Sequence, residues 1–373
     1  MIILGLMSGT SLDGIDLALC DMYDGGYRVL AAATVPYTAE WRRRLAALDS
    51  ATALEYALAN VELGHHMGRV VAQFLADKGV RPEAVASHGH TVFHQPQRGM
   101  TAQIGDGDAI AAECGLPVVS NFRTLDVALG GQGAPLVPIG DRLLFGQYAA
   151  CLNLGGIANI SYERSEVGGR RSELSCCAKT PSSSEPNSNR VAFDICPCNM
   201  LLNRLVASIG LDYDPDGMHA SRGAVDRQLL ALMESMAYYR QPAPKSLGKE
   251  WFDAEMWPLV QGQLDGRQET VERLLRTAVE HIASQIALTV NGIGAESLLV
   301  TGGGAHNRFL IARLRELCPG CTVTVPDPLT VDYKEAIIFA LLGYLRITGR
   351  TNTLRSVTGA RCDSIGGTLS GIF

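Results

Sequence analysis

The chain lacks the marks of several protein classes. No apolar run reaches the ~20 residues that a membrane-spanning helix needs. No basic segment precedes an apolar one at the start, where Met1 leads straight into a strand-like run, so no secretory signal is expected. Positive charge is scarce: 32 Lys and Arg stand against 38 Asp and Glu, and a net charge of -6 argues against a general nucleic-acid binder. The 10 cysteines do not form a disulfide framework. They are scattered through a long chain, several inside apolar runs (Cys20, Cys114, Cys151), as small buried hydrophobes in a reduced, cytoplasmic protein would be. What is present is ordinary for a globular protein: 373 residues, 47% hydrophobic and 19% charged, enough for two or more domain-sized units.

The opening stretch carries the first chemistry. Ile2 to Leu6 reads as a buried strand, Ser8-Gly9-Thr10-Ser11 as a turn, and Ile15 to Leu19 as a second strand. Tyr27 to Val35 adds a third, which makes an antiparallel meander. Turn N–H groups with Ser and Thr hydroxyls can surround an anion. Asp13 and Asp16 offer the carboxylate oxygens that hydrated Mg²⁺ prefers. The plainer alternative is a Gly/Ser hairpin with solvated aspartates.

Helices are expected over 41–48 and 54–78, the second closed by Gly79. A short strand, 84–87, leads into His88-Gly89-His90-Thr91-Val92-Phe93-His94. Two readings stand there: a zinc site seeded by His88 and His90, or satisfied histidines lining a cleft. Gly89 and Pro96 suggest that a regular strand does not persist through all three histidines. Asp108 is the expected cap of a helix running to Cys114. Arg123 and Asp126 lie beside a Gly/Pro-rich loop, 129–138, and suit a sugar or acid substrate, or else form a surface ion pair.

Cys151 to Tyr162 repeats the opening theme of strand, glycine turn (Gly155-Gly156) and strand, which suggests two related halves. Residues 163–190 are rich in Ser, Pro, Glu and Arg and read as a surface insertion. Cys176, Cys177, Cys196 and Cys198 could make a zinc site, but without the usual Cys-x₂-Cys knuckle. A strand ending at Asp194-Ile195-Cys196-Pro197-Cys198-Asn199 precedes a helix to Ile209. Helix 270–290 has the clearest period. The strand 297–300 runs into Thr301-Gly302-Gly303-Gly304-Ala305-His306-Asn307 and a helix from Arg308, a nucleotide-binding arrangement but not a G-x-G-x-x-G dinucleotide site. Glu335 is placed in the first turn of a last helix, 334–348.

Taken in order, these motifs resemble one family. Gly5 to Asp16 closely resembles the opening of the anhydro-N-acetylmuramic acid kinases. So do Ser87–Pro96, Gln103–Asp106, Gly130–Pro138, Asn153–Ser161, Lys245–Glu250, Thr301–Asn307, Lys334–Ala340 and Ser356–Ala360. The resemblance implies an α/β fold of two actin-like (RNase H-like) domains, 1–130 and 131–373, around an interdomain ATP cleft, with helix 334–348 packing back on the first. It implies an ATP- and Mg²⁺-dependent sugar kinase. Such enzymes open the 1,6-anhydro ring with water and phosphorylate the freed O6, giving N-acetylmuramic acid 6-phosphate in cell-wall recycling. Asp194 matches the family's base, and Glu335 is placed near the metal or γ-phosphate. Gly9, Thr10, Ser11, Leu12, Asp13, Gly14, Ile15 and Asp16 match the first phosphate loop, with Asp13 toward Mg²⁺. Gly155 and Gly156 match the second, and Gly302, Gly303, Gly304 and Asn307 the adenosine site. His88, Thr91, Arg123, Asp126 and Gln132 are assigned to the sugar. The implied partner is a small sugar, not nucleic acid or membrane; a homodimer stays open.

The chain departs from the family pattern at three places. Ile195, Cys196 and Cys198 stand where the family has Thr, Gly and Gly. His90 and Asn121 replace a frequent Gln and Asp. If the family glycines need φ > 0, cysteines there are strained and low activity is expected. A catalytically weakened binding protein and a metal hydrolase using His88 and His90 are the competing readings.

Overall fold

The computed structural model describes residues 1–9, 12–164 and 188–371. Thr10, Ser11 and most of the 163–190 segment, Cys176 and Cys177 included, lie outside the described residues, as do the expectations placed on them. Twelve strands are described: β1 (Ile2–Ser8), β2 (Gly14–Tyr23), β3 (Gly26–Pro36), β4 (Ala84–Gln95), β5 (Met100–Ile104), β6 (Val118–Ser120), β7 (Ala150–Leu154), β8 (Ile157–Glu163), β9 (Arg190–Pro197), β10 (Ser297–Thr301), β11 (Thr322–Thr324) and β12 (Thr368–Ser370).

The described residues form two compact units. Met1–Leu144 and Tyr333–Phe373 belong to the first, Phe145–Arg164 and Val191–Asp332 to the second. The division therefore falls later than residue 130, and the C-terminal segment returns to the first unit. Packing explains this. Leu136 and Ile139 share a core with Ile338, Leu341 and Leu342 of the helix Pro328–Ile347. A Cβ on Gly140 would lie 2.5 Å from the Ile338 side chain.

In the first unit the sheet order is β3-β2-β1-β4-β6-β12, with β5 on β4. In the second it is β9-β8-β7-β10-β11. With β5 left out of the count and β12 added at the edge of the first sheet, both run third, second, first, fourth, fifth. The first two strands of each are antiparallel, and the fourth and fifth lie parallel to the first. This is the two-fold actin-like plan that the resemblance implies, and it bears out the two related halves.

Strand alternation puts helices on both faces of the first sheet. Leu4 and Leu6 join Leu63, Met67 and Val71 of the helix Ala53–Lys78. Ile3, Ala18 and Cys20 face Ile337 and Phe339 on the other side. A Cβ at Gly5 would run into the Ala336 carbonyl, so this helix lies backbone-close to β1. The helix Ala53–Lys78 starts at a Thr52/Glu55 capping box and ends at Gly79 with φ 64°. In the second unit, Val271, Leu274, Ala278, Ile282, Ile286 and Val290 of the helix Gln268–Gly292 fill the core as their spacing predicts. No helix among the described residues is long and apolar enough to cross a membrane.

Three local expectations change. β4 continues through His88, His90 and His94: a left-handed Gly89, φ 72°, and a register shift between Thr91 and Phe93 absorb the irregularity. Asp106, not Asp108, caps the helix Gly107–Cys114, its carboxylate accepting from the Ala109 N–H at 2.9 Å. The last helix starts at Pro328, behind Asp327, whose carboxylate accepts from the Thr330 N–H and hydroxyl. Glu335 thus lies beyond the first turn, and the helix dipole does not account for it.

Candidate active site

The first unit gathers a polar set around His88 and Arg123. His88 is buried. Its Nδ1–H donates to the Gly89 carbonyl at 2.9 Å, and its Nε2 accepts from Arg123 Nε at 3.0 Å. These two bonds define one neutral tautomer. Burial and the Arg123 charge hold this imidazole well below its ordinary pKa. Arg123 also donates from Nη1 to the Gly133 carbonyl at 2.7 Å. Desolvation lowers the guanidinium to about 10, against the pull of Glu335 and Asp126, so it stays charged at neutral pH.

Asp126 is not half of a surface ion pair. It is 1% exposed and accepts from the Gly133 N–H and the Thr358 hydroxyl, both at 2.7 Å. Its carboxylate therefore folds the Gly131–Gly133 loop around itself. Gln132 stands exposed on that loop, tied by its N–H to the Thr358 carbonyl at 2.8 Å. Thr91 is half-buried and accepts from Gln103 Nε2 at 3.3 Å.

Glu335 is half-buried beside these groups. Desolvation raises its carboxyl; Arg123 and Lys334 oppose that, and Asp16 adds to it. Lys334 is itself buried on Asp141, at 2.6 Å. On β2, Asp16 accepts from the Thr34 hydroxyl of β3 at 2.6 Å. Asp13 accepts from the Gly14 N–H at 3.0 Å, and Leu12 before it has φ 60°. Gly14, at the start of β2, faces β3, where an added Cβ would meet the Val35 carbonyl at 2.5 Å; Ile15 is core.

The histidines part company. His90 Nδ1 lies 3.1 Å from Ser8 Oγ, which bonds the Tyr37 hydroxyl at 2.7 Å. His94 pairs with Thr101 at 3.0 Å. With His88 on Arg123 and His90 on Ser8, and no group of three or more His, Cys, Asp or Glu that could hold a metal among the described residues, the two histidines do not gather a ligand set; the four-cysteine reading rests on Cys176 and Cys177, outside the described residues.

The second unit presents Asp194 near the end of β9. Its Oδ2 accepts from the Leu247 N–H at 2.9 Å. Its own N–H donates to the Lys245 carbonyl at 3.0 Å, and its carbonyl accepts from the Tyr238 hydroxyl at 2.6 Å. Desolvation pushes the carboxyl up to about 6, only partly countered by the Leu247 bond. Cys196 and Cys198 are 0% exposed in the core, and burial pushes both thiols up. Cys198 has φ -124°, and the described non-glycine residues with positive φ are Leu12, Asn121 and Asp216. The condition of a positive φ is not met: neither cysteine is left-handed, and both place a sulfur in the core.

Two kinds of glycine surround the adjoining turns. Gly302 has φ 82°, and a Cβ there would lie 2.5 Å from Asn153 Oδ1; one at Gly304 would lie 2.7 Å from Leu154 Cβ. The fold demands these two. At Gly155, Gly156 and Gly303 an added Cβ would meet nothing nearer than 3.3, 3.8 and 3.7 Å. Packing asks for no glycine there, and the missing side chains keep the backbone approachable. The Gly155 and Gly156 carbonyls accept N–H groups from Cys198, Asn199 and Met200, docking the turn on the helix Asn199–Val206. Asn307 caps the helix Arg308–Leu317, accepting from the Leu310 N–H at 2.9 Å.

Of the residues singled out in sequence, His88, Arg123 and Glu335 lie together in the first unit and Asp194 lies in the second; Tyr238 and the Asp141–Lys334 pair were not expected. The 245–250 motif pointed at the segment that supplies the Leu247 N–H. Nothing in the local pattern marks Tyr238.

Residues 1–167 and 180–371 match the family model for anhydro-N-acetylmuramic acid kinase. The chain is 37% identical over 383 residues to the anhydro-N-acetylmuramic acid kinase of Vibrio cholerae serotype O1, covering 97% of this chain and 96% of that one. It is 36% identical over 388 residues to that of Gloeobacter violaceus, covering 95% of each. Among solved structures, an activator of 2-hydroxyisocaproyl-CoA dehydratase from Clostridium difficile aligns over 94% of this chain and 98% of its own, at 12% identity and a TM-score of 0.42. That likeness is too distant to carry function. The family match over nearly the whole length, with relatives 36% and 37% identical, places the chain among the anhydro-N-acetylmuramic acid kinases.

Proposed function

We propose that the protein is a phosphotransferase that opens the 1,6-anhydro ring of anhydro-N-acetylmuramic acid with water and phosphorylates O6 from ATP, giving N-acetylmuramic acid 6-phosphate. The observation that carries this reading is Asp194, a half-buried carboxylate held by one backbone N–H and pushed up to about 6. Such a group is largely ionised at neutral pH yet basic enough to take a proton from water. Water is a poor nucleophile toward an anomeric carbon. As Asp194 takes its proton, the new C–O bond forms, the bond to O6 breaks, and the freed O6 becomes the phosphoryl acceptor.

The first-unit set suits the sugar. Arg123, oriented by His88 and Gly133, keeps a charged guanidinium for an anionic substituent. His88, Thr91 and Gln132 line the same assignment, and Asp126 serves it by shaping the loop. We assign the nucleotide to Gly155, Gly156 and Gly302 to Asn307, where the open glycines fit a ligand that approaches the backbone. Gly9 to Asp16 is assigned to the phosphates. Asp13 and Asp16 are hard oxygen donors that fit Mg²⁺, with Glu335 acting near the metal or γ-phosphate. When bound, Mg²⁺ offsets the charge on the transferring phosphoryl group. No cysteine among the described residues is in a disulfide, in keeping with a cytoplasmic site of action.

Incubation with anhydro-N-acetylmuramic acid and MgATP, followed by mass detection, tests the reading. The expected product is the sugar plus one water and one phosphoryl group. An unchanged sugar in the presence of MgATP overturns it.

A further inference from the structure

We propose that Tyr238 is a positioning residue for Asp194, clamping the 245–247 segment so that the carboxylate stays aimed and shielded from bulk water. This rests on Asp194 being the base proposed above.

Tyr238 is 3% exposed, in the single turn Ala237–Arg240. Each of its parts is engaged. Its hydroxyl donates to the Asp194 carbonyl at 2.6 Å. Its own carbonyl accepts from Lys245 Nζ at 3.0 Å, and its ring lies 4.4 Å below the same ammonium. Trp251 and Tyr239 hold the ring, with centroids 5.4 and 5.7 Å away. The Lys245 carbonyl takes the Asp194 N–H at 3.0 Å, and two residues on, Leu247 donates to the carboxylate at 2.9 Å.

These contacts close a circuit. The Asp194 N–H bonds to the segment that supplies its carboxylate contact, and its carbonyl bonds to Tyr238, which holds that segment through Lys245. The position of the Leu247 N–H follows from where Lys245 is fixed, and Lys245 is fixed on Tyr238. A displacement near 1 Å at a reacting group costs on the order of 100-fold in rate, so a clamp of this kind matters to turnover. The neighbouring Tyr239 provides a control. Its hydroxyl lies 2.8 Å from His281 Nε2, in the core and away from Asp194. The titratable groups that face Asp194 are Tyr238 and Cys196, both pushed up by burial, so neither titrates near the acid limb. Lys245 faces Tyr238 and Cys196; burial moves it down and Cys196 moves it up.

The test is the kcat–pH profile of Tyr238→Phe, which keeps the ring and removes the hydroxyl. Expected are a kcat lowered roughly 10-fold, an unchanged KM for MgATP, and an acid limb displaced to lower pH as water reaches the carboxylate. Tyr239→Phe is expected to lower Tm and leave the limb in place. Should Tyr238→Phe fail to fold, Lys245→Met removes the ammonium while keeping its stem, and the same displacement is expected. A Tyr238→Phe protein, or failing that Lys245→Met, with the parent's acid limb and only a lower Tm overturns the proposal. Asp194→Asn is run alongside. If it is inactive while the limb stays put, positioning alone has failed; if it keeps the parent's kcat, the base assignment has failed and takes the proposal with it.

Discussion

Glu335 and Asp194 are both half-buried carboxyls that desolvation pushes up, and they differ in what answers that push. Glu335 sits among charges: Arg123 and Lys334 stabilise its anion, while Asp16 opposes it. Asp194 is answered by a single backbone N–H, and the titratable groups that face it, Tyr238 and Cys196, carry no charge to balance it. An anion balanced by cations is suited to stay charged and to orient a ligand. An anion left under-compensated in a drier site is suited to accept a proton. The same residue chemistry thus serves two roles because the neighbours differ.

Substituting each carboxylate breaks or sharpens that contrast. Asp194→Asn is expected to lower kcat roughly 10²–10⁴-fold, the range of a lost general base. Glu335→Gln is expected to cost less, roughly 10-fold, as a lost charge-assisted contact. The acid limb of the kcat–pH profile, set near 6 by Asp194, should stay in place in Glu335→Gln. Equal losses in the two variants, or a limb that follows Glu335, would exchange the roles.

A stability measurement follows from the same comparison. The folded Asp194 carboxyl at about 6 lies above its ordinary 3.8, so its ionisation opposes folding. That cost is full above pH 6, fades as pH falls toward 3.8, and is gone below 3.8, where folded and unfolded chains are both protonated. Asp194→Asn, still able to accept from Leu247, should therefore raise stability at pH 8 by on the order of 2 kcal/mol and leave it unchanged at pH 4. Thermal melts at the two pH values check this, and a gain at pH 4 equal to that at pH 8 refutes it.

The smallest effect separates groups held by the fold from groups kept for a ligand. Gly302→Ala puts a Cβ into a left-handed residue against Asn153 and should cost roughly 1–2 kcal/mol of stability. Gly303→Ala makes only an ordinary contact with Asn199, at 3.7 Å, and should keep its Tm while raising the KM for MgATP. A matching Tm loss in both would remove the distinction.

Much of this was legible in sequence because it is local. The meander from β1 to β3, the period of the helix Gln268–Gly292 and the Gly79 cap each depend on neighbours within a few residues. The match to family motifs pointed to Asp194 on the same basis. Expectations failed where geometry depends on contacts that no short window contains. The start of the last helix depended on Asp327 behind Pro328. The persistence of β4 depended on a bulge against β5, and the ease of Cys196 and Cys198 on a core ready to take sulfur.

The sequence by itself determined that two strand–glycine–strand halves exist and which carboxylates stand at their motif positions. Tertiary structure alone decided what each carboxylate is. Tyr238 is 44 residues from Asp194 along the chain, and Leu247 is 53 away. Arg123 and Glu335 are joined only by folding. A proton affinity is set by solvent exclusion and by charges within a few ångströms, and the chain acquires both only when distant segments pack.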